Sequence, residues 1–144
     1  MSLNAETRRD LVNYRLDKAE ETMKQVQTNL PNGFWSLIAN RLYYAAYYTA
    51  SAFLVAKAVT TKSHEGTIQQ FGLHGVKTGL VPAEMGRFYN RLYALRLTGD
   101  YEDNFYLTEE EVMPFLEPTR QFITLVSTLA RKELERIGGQ PDTV

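Results

Sequence analysis

The stretch FWSLIANRLYYAAYYTASAFLVAKAV, residues 34–59, decides the fold. Apolar and aromatic residues occupy most sides of a helix drawn through it, and neither glycine nor proline interrupts it. A helix that is apolar on most sides is covered by several neighbours, so this segment predicts a central helix. Its small side chains, concentrated between positions 45 and 52, allow other helices to approach closely.

Helical periodicity continues on both sides of this segment. Residues 1–30 predict one long helix, in which apolar side chains recur at helical spacing, and Pro31-Asn32-Gly33 ends it. The central helix is expected to run to about Val59. After it, Ser63 predicts the N-cap of a shorter helix from His64 to about Lys77.

The second half of the chain predicts two more helices. Pro82 suits the first turn of a fourth helix, which Gly99 is expected to end. An ordered loop is predicted from Asp100 to Thr108, where the hydroxyl of Thr108 and the glutamates after it favour the start of the last helix. Pro118 predicts a kink or a delayed start in that helix.

These segments together predict an all-α protein, since no strand signal, internal repeat or low-complexity tract interrupts them. We expect one domain over residues 1–144, with a core at about 8–137 and a frayed tail at 138–144. The expected architecture is an antiparallel up-and-down bundle of four or five helices. A chain of 144 residues can bury such a core without a metal or a disulfide.

The composition excludes several kinds of chemistry. Hydrophobic residues make up 44% of the chain and charged residues 23%, a normal globular balance. Cysteine is absent, which excludes disulfides, thiolate metal sites and cysteine nucleophiles. The two histidines, His64 and His74, are too few for a multi-histidine centre, so we predict no metal and no cofactor. Without an N-terminal signal core or an apolar run of membrane length, a cytoplasmic protein that does not contact membranes is expected.

Charge is unevenly distributed along a chain whose net charge is −1. Residues 41–96 carry seven basic and two acidic groups, a balance of +5, whereas residues 97–144 carry four basic and ten acidic groups, a balance of −6. Either the two parts attract each other across the fold, or the basic middle forms a local anion site. A nearly neutral total disfavours broad electrostatic capture of nucleic acid but permits such a site.

Several short motifs follow one another in a fixed order: NRLYYAAYY at 40–48, SHEG at 63–66, KTG at 77–79 and RLTGDY at 96–101. This ordered set resembles the HEPN domain family over roughly residues 8–130. The resemblance implies a small helical bundle that forms dimers. Many family members are metal-independent ribonucleases of toxin–antitoxin, CRISPR and antiviral systems. Others are non-catalytic nucleotide- or RNA-binding partners of a small nucleotidyltransferase.

The catalytic members of the family carry an arginine, then four to six intervening residues, and then a histidine. Arg41 matches the arginine, but with six intervening residues Tyr48 takes the place of the histidine, and Leu42 after the arginine is not polar. Histidine titrates near 6.5 and tyrosine near 10, so a tyrosine is a poor proton acceptor at neutral pH. Tyr48 could still donate a hydrogen bond or stack on a base.

Each candidate residue also has a structural interpretation. Arg41 either binds phosphate through its guanidinium group or pairs with a buried acid such as Asp100. His64 is either a capping or hydrogen-bonded histidine or a replacement for the missing base, and Asp100 either orders a loop or orients Arg41. Most tyrosines of the central helix are expected to be packing residues. The predicted ligand-binding residues are Arg41, Tyr44, Tyr48, His64, Arg96 and Asp100.

Three functions are therefore considered. The first is a non-catalytic or catalytically degenerate HEPN protein that binds nucleotide or RNA beside a nucleotidyltransferase in a two-gene, toxin–antitoxin-like module. The second is a metal-independent ribonuclease toxin that uses Arg41 with His64 or Tyr48. The third is a structural interaction module whose dimer surface is its whole function. A homodimer is expected under each of them.

Overall fold

A computed structural model describes residues 4–101 and 106–138, and these contain helices and turns but no strand. The predicted all-α bundle is confirmed, although the last of its five predicted helices is divided into two. The helices are α1 (Ala5–Asn29), α2 (Trp35–Ala56), α3 (His64–Phe71), α4 (Ala83–Tyr101), α5 (Glu109–Val112) and α6 (Leu116–Gly138).

Helix α2 lies at the centre of the bundle, as its apolar sequence predicts. It packs against α1, α3, α4 and α6, and its alanines at positions 45, 46 and 50 are completely buried. Aromatic rings fill the space between α2 and its neighbours: Phe53 packs on Phe71 of the third helix, which in turn contacts Phe122 of α6. Burial of apolar area on this scale is the main contribution to stability.

The first helix ends where the sequence predicts. Its N-cap is Asn4, whose side-chain oxygen accepts a hydrogen bond from the Thr7 amide at 2.7 Å. Leu30–Asn32 form a 3-10 turn, and Gly33 follows with a left-handed φ of 69° that a residue without a Cβ adopts easily. This turn reverses the chain, so α1 packs along α2.

The third helix has the predicted cap, and it reaches the predicted end only by a change of helix type. The Ser63 hydroxyl accepts a hydrogen bond from the Gly66 amide at 2.9 Å. The α-helix ends at Phe71, and a π-helical segment, Gly72–Val76, continues it. Such wider turns are rare and the periodicity of apolar residues does not reveal them, because one π-turn displaces the pattern by a single residue.

Two predicted helix ends were wrong. Helix α2 ends at Ala56 rather than near Val59, because Ala58 adopts a left-handed φ of 63°. Gly99 does not end the fourth helix, which continues to Tyr101.

Close packing explains why a glycine occupies position 99 inside α4. A Cβ atom there would lie 2.8 Å from the Leu107 side chain, so the glycine makes room for the returning chain. Asp100 is consequently helical rather than a loop residue. The remainder of the predicted loop includes residues 102–105, which lie outside the described residues, as does the predicted tail beyond Gly138.

The last helix starts in two stages. Thr108 forms a capping box with Glu111: the Thr108 hydroxyl accepts from the Glu111 amide at 3.3 Å, and the Glu111 carboxylate accepts from the Thr108 amide at 3.0 Å. A 3-10 turn, Met113–Phe115, separates α5 from α6. Pro118 lies in the first turn of α6, so the predicted delayed start is confirmed.

Candidate functional site

Arg41 is half-buried on α2 and is held by two amide side chains. The Asn40 side-chain oxygen accepts from its Nε at 3.0 Å and from its Nη2 at 2.7 Å, while its Nη1 donates to Gln25 of α1 at 3.3 Å. The guanidinium carbon lies 5.1 Å from the centre of the Tyr44 ring. Within residues 4–101 and 106–138, no carboxylate lies within ion-pair distance of Arg41. The Arg41–Asp100 ion pair considered from the sequence is therefore not formed.

Asp100 reaches Arg41 through Asn40 instead. The Asn40 amide nitrogen donates to the Asp100 carboxylate at 3.1 Å, and the same carboxylate oxygen accepts from Arg96 Nε at 3.0 Å. These contacts form a chain that runs from Arg96 through Asp100 and Asn40 to Arg41. Asp100 thus orients the amide that holds the arginine.

Arg96 is the buried cation of this region, with only 6% of its surface exposed. Its guanidinium carbon lies 5.2 Å from the ring centres of both Tyr43 and Tyr44 and 6.0 Å from that of Tyr93. A buried charge needs partners, and Asp100 together with these ring faces supplies them.

His64, the first residue of α3, packs into the same tyrosine cluster. Its Nδ1 lies 2.7 Å from the Tyr43 hydroxyl, and its ring centre lies 4.7 Å from that of Tyr47 and 5.6 Å from that of Tyr44. Tyr44 is therefore in contact with His64, Arg41 and Arg96. The structure brings together five of the six predicted site residues, and with Asn40 we call them the Arg41 cluster: Asn40, Arg41, Tyr44, His64, Arg96 and Asp100.

The protonation states of His64 and of Tyr43, whose hydroxyl contacts it, follow chiefly from burial. Burial lowers the pKa of the His64 imidazole below its usual value, and the nearby Arg96 charge lowers it further. Burial raises the pKa of the Tyr43 hydroxyl far above its usual value, so it keeps its proton. When that hydroxyl donates to Nδ1 of a neutral His64, the histidine proton lies on Nε2, and Nε2 is then a donor.

Tyr48, the sixth predicted residue, lies one turn beyond Tyr44 at the edge of the cluster. Its ring centre is 5.9 Å from that of Tyr44 and 5.7 Å from that of Tyr47. On its other side, Lys18 Nζ of α1 lies 5.1 Å from the ring centre. Tyr48 thus extends the aromatic surface toward α1.

Tyr93 and Glu65 border the cluster on its α3–α4 side. The Tyr93 hydroxyl donates to the Glu65 carboxylate at 2.5 Å, and this hydrogen bond lowers the pKa of Glu65 below its usual value. Sequence reasoning did not find Asn40, Tyr93 or Glu65 as parts of the site. For Tyr93 one signal was present, because it precedes Arg96 by three residues and so shares its face of α4.

The arrangement suits an anionic ligand that also carries an aromatic ring. Arg41 is an oriented guanidinium fork, and Tyr44 and Tyr48 provide half-buried ring surface beside it. His74 lies in the π-helical segment, outside the cluster. Across the described part of the chain, no three metal-ligating side chains converge, and no helix combines the length and apolar character that a membrane span requires.

The protein is a helical bundle whose central helix carries an arginine–tyrosine motif. Comparison with known proteins identifies the family of such bundles to which it belongs. A sequence model of the HEPN domain family matches residues 12–133, and this chain belongs to that family. It is 34% identical over 119 residues to a UPF0332 protein of Thermotoga maritima, a match that covers 83% of this chain and 90% of the relative.

Two further relatives also match over most of their length. A UPF0332 protein of Gloeobacter violaceus is 29% identical over 111 residues, which cover 76% of this chain and 88% of the relative. A protein of Methanocaldococcus jannaschii named "Putative toxin MJ0605" is 30% identical over 126 residues, which cover 88% of this chain and 92% of the relative.

Proposed function

We propose that this chain is a HEPN-domain protein that binds a nucleotide or RNA at the Arg41 cluster and does not cleave it efficiently. Its proposed setting is a two-gene, toxin–antitoxin-like module in which its partner is a nucleotidyltransferase. The resemblance to non-catalytic family members supports the partner, and the name of the Methanocaldococcus jannaschii relative supports the module. A neighbouring nucleotidyltransferase gene is the simplest check of this setting.

The orientation of Arg41 carries the proposal. A surface arginine without a function is commonly mobile or paired with an acid, whereas Arg41 is held by Asn40 and Gln25, which are neutral. Its positive charge is thus oriented but not neutralised by any carboxylate of the described residues. Adjacent Tyr44 and Tyr48 offer ring faces on which a base can stack.

Thermal melting with and without ligand tests this proposal. A ligand that binds only the folded protein raises the melting temperature, so we expect AMP or a short single-stranded RNA to do so. Arg41→Ala should abolish this shift while the helical circular dichroism remains. Arg131→Ala on α6 removes an exposed charge that lies beside Arg9 and Asn13 in the first turns of α1, and it should retain the shift. If Arg41→Ala retains the full shift, the ligand binds elsewhere and the proposal is wrong.

A ribonuclease is the second candidate function, and one contact favours it. His64 and Arg41 both contact the Tyr44 ring, so a histidine lies near the arginine even though the family position is occupied by Tyr48. The neutral state of His64 is the state that a base requires. Its Nδ1, however, is already engaged by the Tyr43 hydroxyl.

A homodimer belongs to the same proposal. Phe34 and Leu37 at the start of α2 are 58% and 44% exposed, and they lie two turns and one turn before Arg41, respectively. Tyr106, which is 82% exposed, lies at the same end, because the adjacent Leu107 amide bonds to the Ser36 hydroxyl. We propose that this apolar surface contacts a second copy and places two Arg41 clusters near each other.

A further inference from the structure

A groove runs along the seam between α4 and the third helix with its π-helical continuation. Its volume is about 330 Å³. Ile68, Gly72 and Lys77 line one side, and Arg87 and Asn90 line the other. A Cβ atom added at Gly72 would meet no atom within 4 Å, so the groove is open along that side.

The far end of this α3–α4 groove is positively charged. Lys77, Arg87 and Arg91 are exposed there, and Arg87 and Asn90 also line an adjacent depression with Arg91 and Glu84. Three cations thus face one carboxylate. Considering only the described residues, none of the three cations forms an ion pair. An excess of two positive charges on a protein of net charge −1 attracts an anion to this place.

The groove and the Arg41 cluster are joined along the seam between α3 and α4. Arg87 lies nine residues before Arg96, about 14 Å along the helix axis but half a turn around it, so the two cations are on opposite faces of α4. On the seam itself, His64 of the cluster precedes Ile68 of the groove by one turn of α3. The Tyr93–Glu65 hydrogen bond lies at this junction and ties α3 to α4. A mononucleotide at the cluster is too short to reach Lys77 and Arg87, whereas a longer strand reaches both places.

We propose that the α3–α4 groove holds the phosphate backbone of a single-stranded RNA, and that one nucleotide of the same RNA occupies the Arg41 cluster. Lys77 and Arg87 each contact a phosphate. The negative charge of Glu65 disfavours a phosphate midway, so the contacts are made at the two cationic ends. This proposal rests on the proposed function, because it extends the same ligand from the cluster into the groove.

The salt dependence of RNA binding tests the groove. Each phosphate that a protein neutralises on a single strand contributes about 0.7 to the slope of log affinity against log salt concentration. For an unstructured RNA of about ten nucleotides, the double variant Lys77→Ala, Arg87→Ala should bind more weakly and show a slope smaller by about 1.4. AMP binding should be unchanged in this variant, since AMP does not reach the groove.

The control is Arg131→Ala, Lys132→Ala, which removes two exposed positive charges from α6. This control should leave the slope close to that of the wild type. The proposal that the groove binds RNA would be wrong if the slope is unchanged in the groove variant, or if it decreases equally in both variants. This holds even if Arg41→Ala abolishes binding. Competition by a polyglutamate peptide as strong as that by RNA would also overturn the proposal. Failure of the wild type to bind AMP and RNA would instead remove the proposed function itself.

Discussion

At the scale of single residues, the difference between binding and cleavage rests on Tyr48 and His64. A catalytic acid or base typically contributes about 100- to 10,000-fold to a rate, and it must exchange protons near the working pH. We therefore expect wild-type protein to leave labelled RNA intact in the presence of EDTA. Tyr48→His restores the family pattern and should give measurable cleavage, because it introduces an imidazole one turn beyond Tyr44.

His64→Ala separates the two candidate functions in the same assay. If the wild type cleaves RNA without metal and His64→Ala does not, His64 is the base and the ribonuclease becomes the better description. Circular dichroism of each variant must match the wild type, since His64 packs among tyrosines whose rearrangement would also reduce binding.

His64 should also make stability depend on pH. Its folded-state pKa is lowered by burial and by Arg96, so below pH 6.5 the unfolded chain binds a proton that the folded protein excludes. The stability that this histidine contributes is therefore present above pH 6.5 and is lost as the pH falls toward the folded-state pKa. Glu65 faces the cluster with the opposite charge and raises the pKa of His64, but its effect is smaller than those of burial and Arg96.

Melting temperatures between pH 7 and pH 5 measure this dependence. Below about pH 6.5 the wild type should lose more stability than His64→Gln, which keeps a polar side chain but does not titrate. His74→Gln is the matched control, because His74 lies outside the cluster and its removal leaves the Tyr43–His64 contact intact. If the melting temperatures of wild type and His64→Gln fall in parallel as the pH is lowered, His64 is not the source of the pH dependence.

The motifs identified candidate residues on α2 and α3, but not how these residues are joined. Arg41 and His64 were found because their motifs resemble those of a family. Asn40 was not assigned to the site, because its role depends on Asp100, which is 60 positions away in sequence. The contact between Tyr93 and Glu65 likewise depends on the packing of α3 against α4, which no local pattern specifies.

At the scale of helices, local chemistry predicted the starts better than the ends. Ser63 and Thr108 cap their helices as expected, because an N-cap requires only a side chain and an amide two or three residues later. Gly99 was misassigned because a glycine can serve either a helix end or a close contact, and only the position of Leu107 distinguishes the two.

At the scale of the whole molecule, the structure shows one of the two origins of the charge asymmetry that were considered from the sequence. Lys57 of the basic middle pairs with Glu133 of the acidic part at 3.3 Å, so the two parts do attract each other. Arg136 chiefly, and Lys57 with it, lowers the pKa of Glu133. Of the other six cations of the basic middle, Arg41 and Arg96 belong to the Arg41 cluster, and three lie in or beside the α3–α4 groove. Lys62 belongs to neither place.

The assembly state is the prediction that belongs to this scale. Phe34, Leu37 and Tyr106 expose large apolar area at one end of α2, and association of two copies would remove it from water. Light scattering coupled to size exclusion should give a mass near twice 16.5 kDa. Leu37→Glu places a charge in the contact and should yield a monomer with unchanged helicity, whereas Leu73→Glu, on another exposed apolar residue, should remain dimeric. A wild-type monomer at micromolar concentration would exclude a shared arrangement of two Arg41 clusters.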